Sequence, residues 1–380
     1  MKTCLRTTLS ALPALPSALC LLGSALCLSW TPSPAQADED HDRRGAGRYR
    51  QSNLVSDLPG VAMVQDTNLV NAWGISFGPT SPFWVSANGT GLATLYTVTN
   101  DSMGSVHVVK RPLEVTIPGE GTPTGQVFNN TTNFHNDLFI FASEDGIISG
   151  WRGALGTMAE TLATRSTAIY KGITLVNGTG GPRLLAANFG EGTVDSYDGS
   201  LNLVGQFSDQ SVPALYAPFN VHAINGMVFV TFAKRSPGGP DDVAGPGHGL
   251  ISVLDPDTGR FHRFATGSDA GGRINEFNSP WGVAVAPRTF GRHAGQLLVG
   301  NFGSGTIMAF DARGRFRGLL RGVDNHAVVI DGLWGLTFGN GGNGGSPETL
   351  YFSAGPDGEG HGLFGSLDPL KENHGDNDQD

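Results

Sequence analysis

One pattern is written six times along this chain: an anchor residue, an apolar run, a turn, a second short apolar run closing on Ala, Gly or Asn, a Gly turn and a third run. The clearest copies are WGISFGPTSPFWVSANGTGLATLY from Trp73, WGVAVAP and QLLVGNFGSGTIMAFD from Trp281, and WGLTFGN and TLYFSAGPDGEGHGLFGSLD from Trp334. The others start at Thr124, Lys171 and Asn220, so the steps between anchors are 51, 47, 49, 61 and 53 residues. A unit of that length built from strand-sized pieces cannot bury its own apolar face, and repeated around an axis it makes a β-propeller. The expected fold is therefore all-β, with six blades of four antiparallel strands.

In blade 5 the pattern assigns an inner strand at 282–286, a second at 296–300, a third at 306–310 and an outer one at 316–321. Blade 6 runs out of chain after its third strand, at 363–367, and the segment from Tyr49 to Asp57 is the candidate for its missing fourth. Such an overlap ties the chain ends into one sheet and removes an open edge. The propeller is expected over 49–368, between polar tails at 38–48 and 369–380.

Gly follows the anchor in Trp73-Gly74, Thr124-Gly125, Lys171-Gly172, Trp281-Gly282 and Trp334-Gly335. Inner strands crowd the axis, so a residue without a Cβ is expected there. Asn88-Gly89, 188–192 and 301–305 fall between second and third strands, where Asn and Gly are expected to supply positive φ.

The first 37 residues read as a signal peptide: Lys2 and Arg6, then a Leu/Ala-rich run closing on Ala35-Gln36-Ala37. A membrane anchor is the competing reading, against which stand the interruptions at Pro13 and Pro16 and the cleavage pattern. Cutting after Ala37 would give a secreted or periplasmic protein and remove all three cysteines, Cys4, Cys20 and Cys27. With 24 basic and 34 acidic residues in the whole chain, and Lys2 and Arg6 lost, the mature charge is 22 − 34 = −12. That balance disfavours nucleic acid or an anionic membrane as a partner, and a monomer is expected.

The combination resembles the six-bladed propellers of the NHL-repeat and gluconolactonase-like superfamily. It is similar in particular to a group of uncharacterised secreted bacterial propellers marked by SPWGVAVAP, LLVGNFGSGTIMAFD, DGLWGLTFGNG and SAGPDGEGHGLFGSL. The resemblance implies that functional groups collect on one face, at the residues just before each inner strand and on the loops joining strands two and three. Projected onto this chain, the ligand-binding mouth carries Trp73, Thr124, Lys171, Asn220, Trp281 and Trp334. The indoles either line a small-ligand pocket or plug the axis. Metal-dependent lactonases of the superfamily hold a divalent cation with Glu, Asn and Asp near this mouth. Here only Asn220 matches in type, and the three Trp cannot ligate.

A second constellation lies on the strand two to three loops: Glu144 and Asp145 in blade 2, Asp241, Asp242 and His248 in blade 4, and Asp357, Glu359 and His361 in blade 6. If these loops converge, their carboxylates could bind Ca2+, or the two His with one carboxylate another divalent metal. The alternative is that these acids cap turns and solvate the rim. Motifs for a serine hydrolase elbow, a zincin or a P-loop are absent from the sequence. Two functions from different classes follow. One is a binding or scaffold module using the Trp-lined face for a small molecule or partner. The other is a metal-dependent hydrolase or lyase of lactonase type, drawing on Lys171, Glu144, His248 and His361 as catalytic candidates.

Overall fold

A computed structural model describes residues 47–101, 105–237 and 239–370. The proposed signal peptide and most of both proposed tails lie outside them. Strands make up 52% of the described residues and helix 4%, and the strands form six sheets arranged as the blades of a propeller.

Blades 1 to 5 each contain four consecutive strands. Their inner strands are Ala72–Ser76, Pro123–Phe128, Tyr170–Gly178, Tyr216–Ile224 and Pro280–Val285. In blade 5 the strands that follow are Leu297–Asn301, Ile307–Phe310 and Phe316–Leu319, each within two residues of the bounds the pattern assigns. Blade 6 is built from both chain ends. Leu333–Phe338, Leu350–Ala354 and Leu363–Pro369 come from the C-terminal side, and Arg48–Ser56 from the N-terminal side is the next strand outward. Tyr49 faces Pro369, Ser52 faces Ser366 and Ser56 faces Leu363, with a bulge between Asn53 and Val55.

Apolar side chains explain why the closing strand holds. Leu54 and Val55 are fully buried, and Tyr49 stacks on Phe290 at 4.6 Å while its hydroxyl donates to the Phe290 carbonyl at 3.0 Å. The closure is also latched beyond the strand: Asp57 accepts the Gly362 amide at 2.8 Å and lies 2.7 Å from His361 Nδ1. Between blades the apolar faces interdigitate, as where Trp84 of blade 1 stacks on Phe139 of blade 2 at 4.1 Å.

The crowding at the axis is measurable. A Cβ on Gly74 would stand 2.4 Å from the Thr124 carbonyl, one on Gly172 2.1 Å from Asn220 Oδ1, and one on Gly282 2.4 Å from the Trp334 carbonyl. Each glycine therefore lets the next blade's anchor seat against its own backbone. Blade 4 has Val221 in that place, and there the joint is made differently: Asn220 Nδ2 donates 2.9 Å to the Trp281 carbonyl.

The turns divide labour differently from the expectation. Positive φ is supplied by Gly91, Gly192 and Gly305, whereas Asn88, Asn188 and Asn301 keep ordinary backbone angles. The asparagines act through their side chains. Asn301 Oδ1 accepts the Asn278 amide at 3.0 Å, and Asn188 Oδ1 accepts that of Ile169 at 3.3 Å, tying the second strand to the segment entering the inner one.

Candidate functional site

All six anchors come together at one end of the axis, and all six are buried. The three indoles pack on one another rather than lining open space. Trp73 stacks on Trp334 at 3.8 Å, Trp281 meets Trp334 edge-on at 5.9 Å, and Phe302 covers the other face of Trp334 at 3.9 Å. Phe189 and Phe219 complete this cluster. Trp281 Nε1 donates to the Lys171 carbonyl at 2.9 Å and Trp334 Nε1 to Asn71 Oδ1 at 3.0 Å. Thr124 spends its hydroxyl on the Tyr170 carbonyl at 2.8 Å, and Asn220 bridges to blade 5. Of the two roles open to the Trp residues, the geometry is that of an axial plug.

Below the plug lies an axial cavity of about 20 Å³, room for roughly one water. Gly74, Gly125, Gln126, His222 and Gly335 are among its walls. Gln126 is fully engaged, donating to the Gly74 carbonyl at 2.8 Å and accepting from Ser76 at 2.9 Å. Burial lowers the His222 pKa to about 4, so its ring is neutral at physiological pH.

The reactive groups lie on the other side of the plug. Lys171 is only 4% exposed, its ammonium sits 5.2 Å from the Trp73 ring centre, and it forms an ion pair with Glu144 of blade 2. A cation over an indole face with an adjacent carboxylate is a compact, favourable arrangement. Asn88 Nδ2 donates 3.1 Å to the second Glu144 oxygen, Asn71 Nδ2 donates 3.2 Å to Asn88 Oδ1 and 2.6 Å to Glu359 Oε2. One polar chain thus runs from blade 6 through blade 1 to blades 2 and 3.

Two carboxyls at this mouth titrate high. Glu359 is raised by burial, and by the charges of Glu144 and Asp242, against the lowering pull of its bond from Asn71 and of the Lys171 charge. Asp242 of blade 4 is raised by burial, with Ser279 and Lys171 acting in the opposite direction. Geometry ties Glu144 of blade 2 to Lys171 directly and to Glu359 of blade 6 through Asn88 and Asn71, whereas, among the described residues, Asp242 of blade 4 has no hydrogen bond or ion pair to any of them.

The remaining candidates do not join them. His248 Nδ1 lies 2.8 Å from the Val243 carbonyl and its Nε2 faces Asp269 at 3.7 Å, while His361 belongs to the closure through Asp57. Asp145 caps its own turn by accepting the Glu120 and Ile147 amides at 2.8 and 3.3 Å. Asp357 is exposed and held through its backbone by Asp331, and Asp241 is exposed on the enlarged blade 4 loop. Among the described residues no three His, Cys, Asp or Glu side chains come together as a metal site. Of the donors considered for Ca2+ or another divalent metal, Glu144 is ion-paired with Lys171, and His248 and His361 face Asp269 and Asp57.

Asn71 is the mouth residue that sequence reasoning misses. It lies two positions before the blade 1 anchor with φ 49°, and from that left-handed bend it bonds Trp334, Asn88 and Glu359 at once.

No protein-family model matches the chain. It is similar to two uncharacterised proteins of Acanthamoeba polyphaga mimivirus. One is 28% identical over 349 residues, covering 86% of this chain and 87% of that protein. The other is 28% identical over 317 residues, covering 77% and 74%. Among solved structures, an auxiliary nutrient binding protein from Bacteroides thetaiotaomicron superposes with a TM-score of 0.52 at 11% identity, over 80% of this chain and 70% of that one. Virginiamycin B lyase from Staphylococcus aureus gives 0.49 at 10% identity, over 84% and 99%. The first of these likenesses supports the propeller fold.

Proposed function

We propose that the protein is a binding module whose ligand contacts are the polar groups above the Trp plug. The observation that carries this reading is the polar chain that joins the buried Lys171 to Glu144 and, through Asn88 and Asn71, to Glu359. Two carboxyls, Glu144 and Glu359, linked in one chain with a single ammonium leave a surplus of negative charge at the mouth, which favours a small polar ligand bearing a positive group. The indoles serve this site as a rigid floor and not as its lining. Export through the N-terminal segment, giving a secreted or periplasmic monomer, belongs to the same proposal.

Ligand screening by thermal shift with a panel of small amines and guanidines is the test. Binders are expected to stabilise the native chain and to lose their effect in Glu144→Gln and Glu359→Gln. A panel that shifts nothing, or shifts the variants equally, removes the mouth as the binding site.

One observation favours an enzyme as the second reading. Glu359 and Asp242 titrate above the ordinary carboxylate range because of burial, and a carboxyl raised in this way is suited to a general-acid role. Turnover of a lactone and ester panel, abolished by Glu359→Gln, would support it.

A further inference from the structure

The chain as a whole is acidic, but one arc of its rim is not. Between Thr258 and Val323 it carries nine arginines, no lysine and only three acids, Asp269, Glu276 and Asp311. Arg315 immediately precedes and Arg317 stands on the outer strand of blade 5, with side chains 60% and 43% exposed. Both reach the same carboxylate, Asp311 Oδ2, at 2.7 and 2.6 Å, so one negative charge answers two guanidiniums. The strand then crosses to blade 6. Arg321 pairs in parallel register with Arg48 of the closing strand, and Arg50 follows two residues on, exposed. Arg292, also exposed, packs beside Gly47 at the start of that strand. Among the described residues, Asp311, Asp324 and Asp368 are the carboxylates that register and hydrogen bonds place on this arc, the last opposite Arg50. The exposed guanidiniums of Arg50, Arg292, Arg315, Arg317 and Arg321 outnumber them.

We propose that this arc is a docking surface for a linear acidic polysaccharide, a chain bearing carboxylate or sulfate groups along its length. Arginine is the residue suited to such anions, since its planar fork meets carboxylate or sulfate oxygens two at a time. Alternate residues on a strand are roughly 7 Å apart, which sets the guanidiniums in a row along a blade edge. The edge is a narrow ridge, matched to a chain and not to a plane. A single-stranded nucleic acid would call for aromatic faces beside the cations. The aromatic rings of this arc turn onto other rings: Tyr49 and Phe290 are buried against each other, and the half-buried Phe316 packs on Phe310. A bilayer calls for apolar groups around a uniformly positive patch, and here Asp324 is exposed within it.

The surface is separate from the mouth, so its test is independent of the proposed ligand. Binding of full-length protein to heparin and to alginate oligosaccharides is measured by titration at low and at physiological salt. Wild type is expected to bind both and to weaken as salt rises. The Arg50→Glu, Arg315→Glu, Arg317→Glu triple variant is expected to bind roughly tenfold more weakly or less, and the corresponding Lys variant to fall between. Because Arg315 and Arg317 also hold Asp311, Arg50→Glu with Arg292→Glu provides a second variant that leaves the blade 5 hairpin intact. Absence of binding at low salt, equal binding by both charge-reversed variants, or tighter binding to a single-stranded oligonucleotide or to phosphatidylglycerol vesicles would overturn the proposal.

Discussion

Trp334 carries more of the hub than any other single side chain described here. It is sandwiched between Trp73 and Phe302, met edge-on by Trp281, and fixed in rotation by its bond to Asn71. Trp334→Ala is expected to lower unfolding stability by about 3 to 5 kcal/mol, the usual cost of truncating a buried aromatic, as read from chemical denaturation. The glycines beside the anchors are as demanding for the opposite reason. Gly282→Ala would drive a methyl into the Trp334 carbonyl, so it is expected to destabilise by more than the ~1 kcal/mol typical of point substitutions, whereas Gly153→Ala, with nothing within 4 Å of its added carbon, serves as the tolerant control. At the mouth the sign of the pH effect follows from Glu359. Its folded carboxyl titrates above the unfolded one, so the native state binds the extra proton and stability rises as pH falls from neutral toward that raised value. Glu359→Gln should flatten this dependence above the ordinary carboxylate range. An unchanged melting profile across that range would count against the assignment.

The elements were legible where their period was enforced by packing. Six anchors recur because every inner strand meets the same axis, and the missing fourth strand of blade 6 was legible because a propeller cannot leave a blade open. The site was half legible. Lys171 and Glu144 occupy repeat positions and could be listed, but nothing in linear spacing separates Glu359, which enters the mouth, from His361 two residues later, which turns outward to Asp57. Asn71 lay beyond such reasoning because it works from a bend outside any strand period. The closing strand has its own expected signature. Deleting residues 47–58 removes Leu54 and Val55 from the core together with the Asp57 latch, and should abolish cooperative unfolding of the whole ring rather than trim one blade. A truncated chain that melts as sharply as the full one would refute that closure.

For the molecule as a whole, stability against acid has an internal contributor at the axis. The His222 pKa of about 4 lies below its unfolded value of 6.5, so the unfolded chain takes up a proton that the native one refuses. The stability tied to this residue is complete above pH 6.5 and is lost as pH falls toward 4, by up to about 3 kcal/mol. His222→Gln should be less sensitive over that window in equilibrium unfolding. The indole stack set across the hub has a different consequence. It seals the axis against through-traffic, leaving the two flat sides of the disc without a shared passage. Under the proposed reading, a molecule bound beside Lys171 would have to depart by the door it came in through.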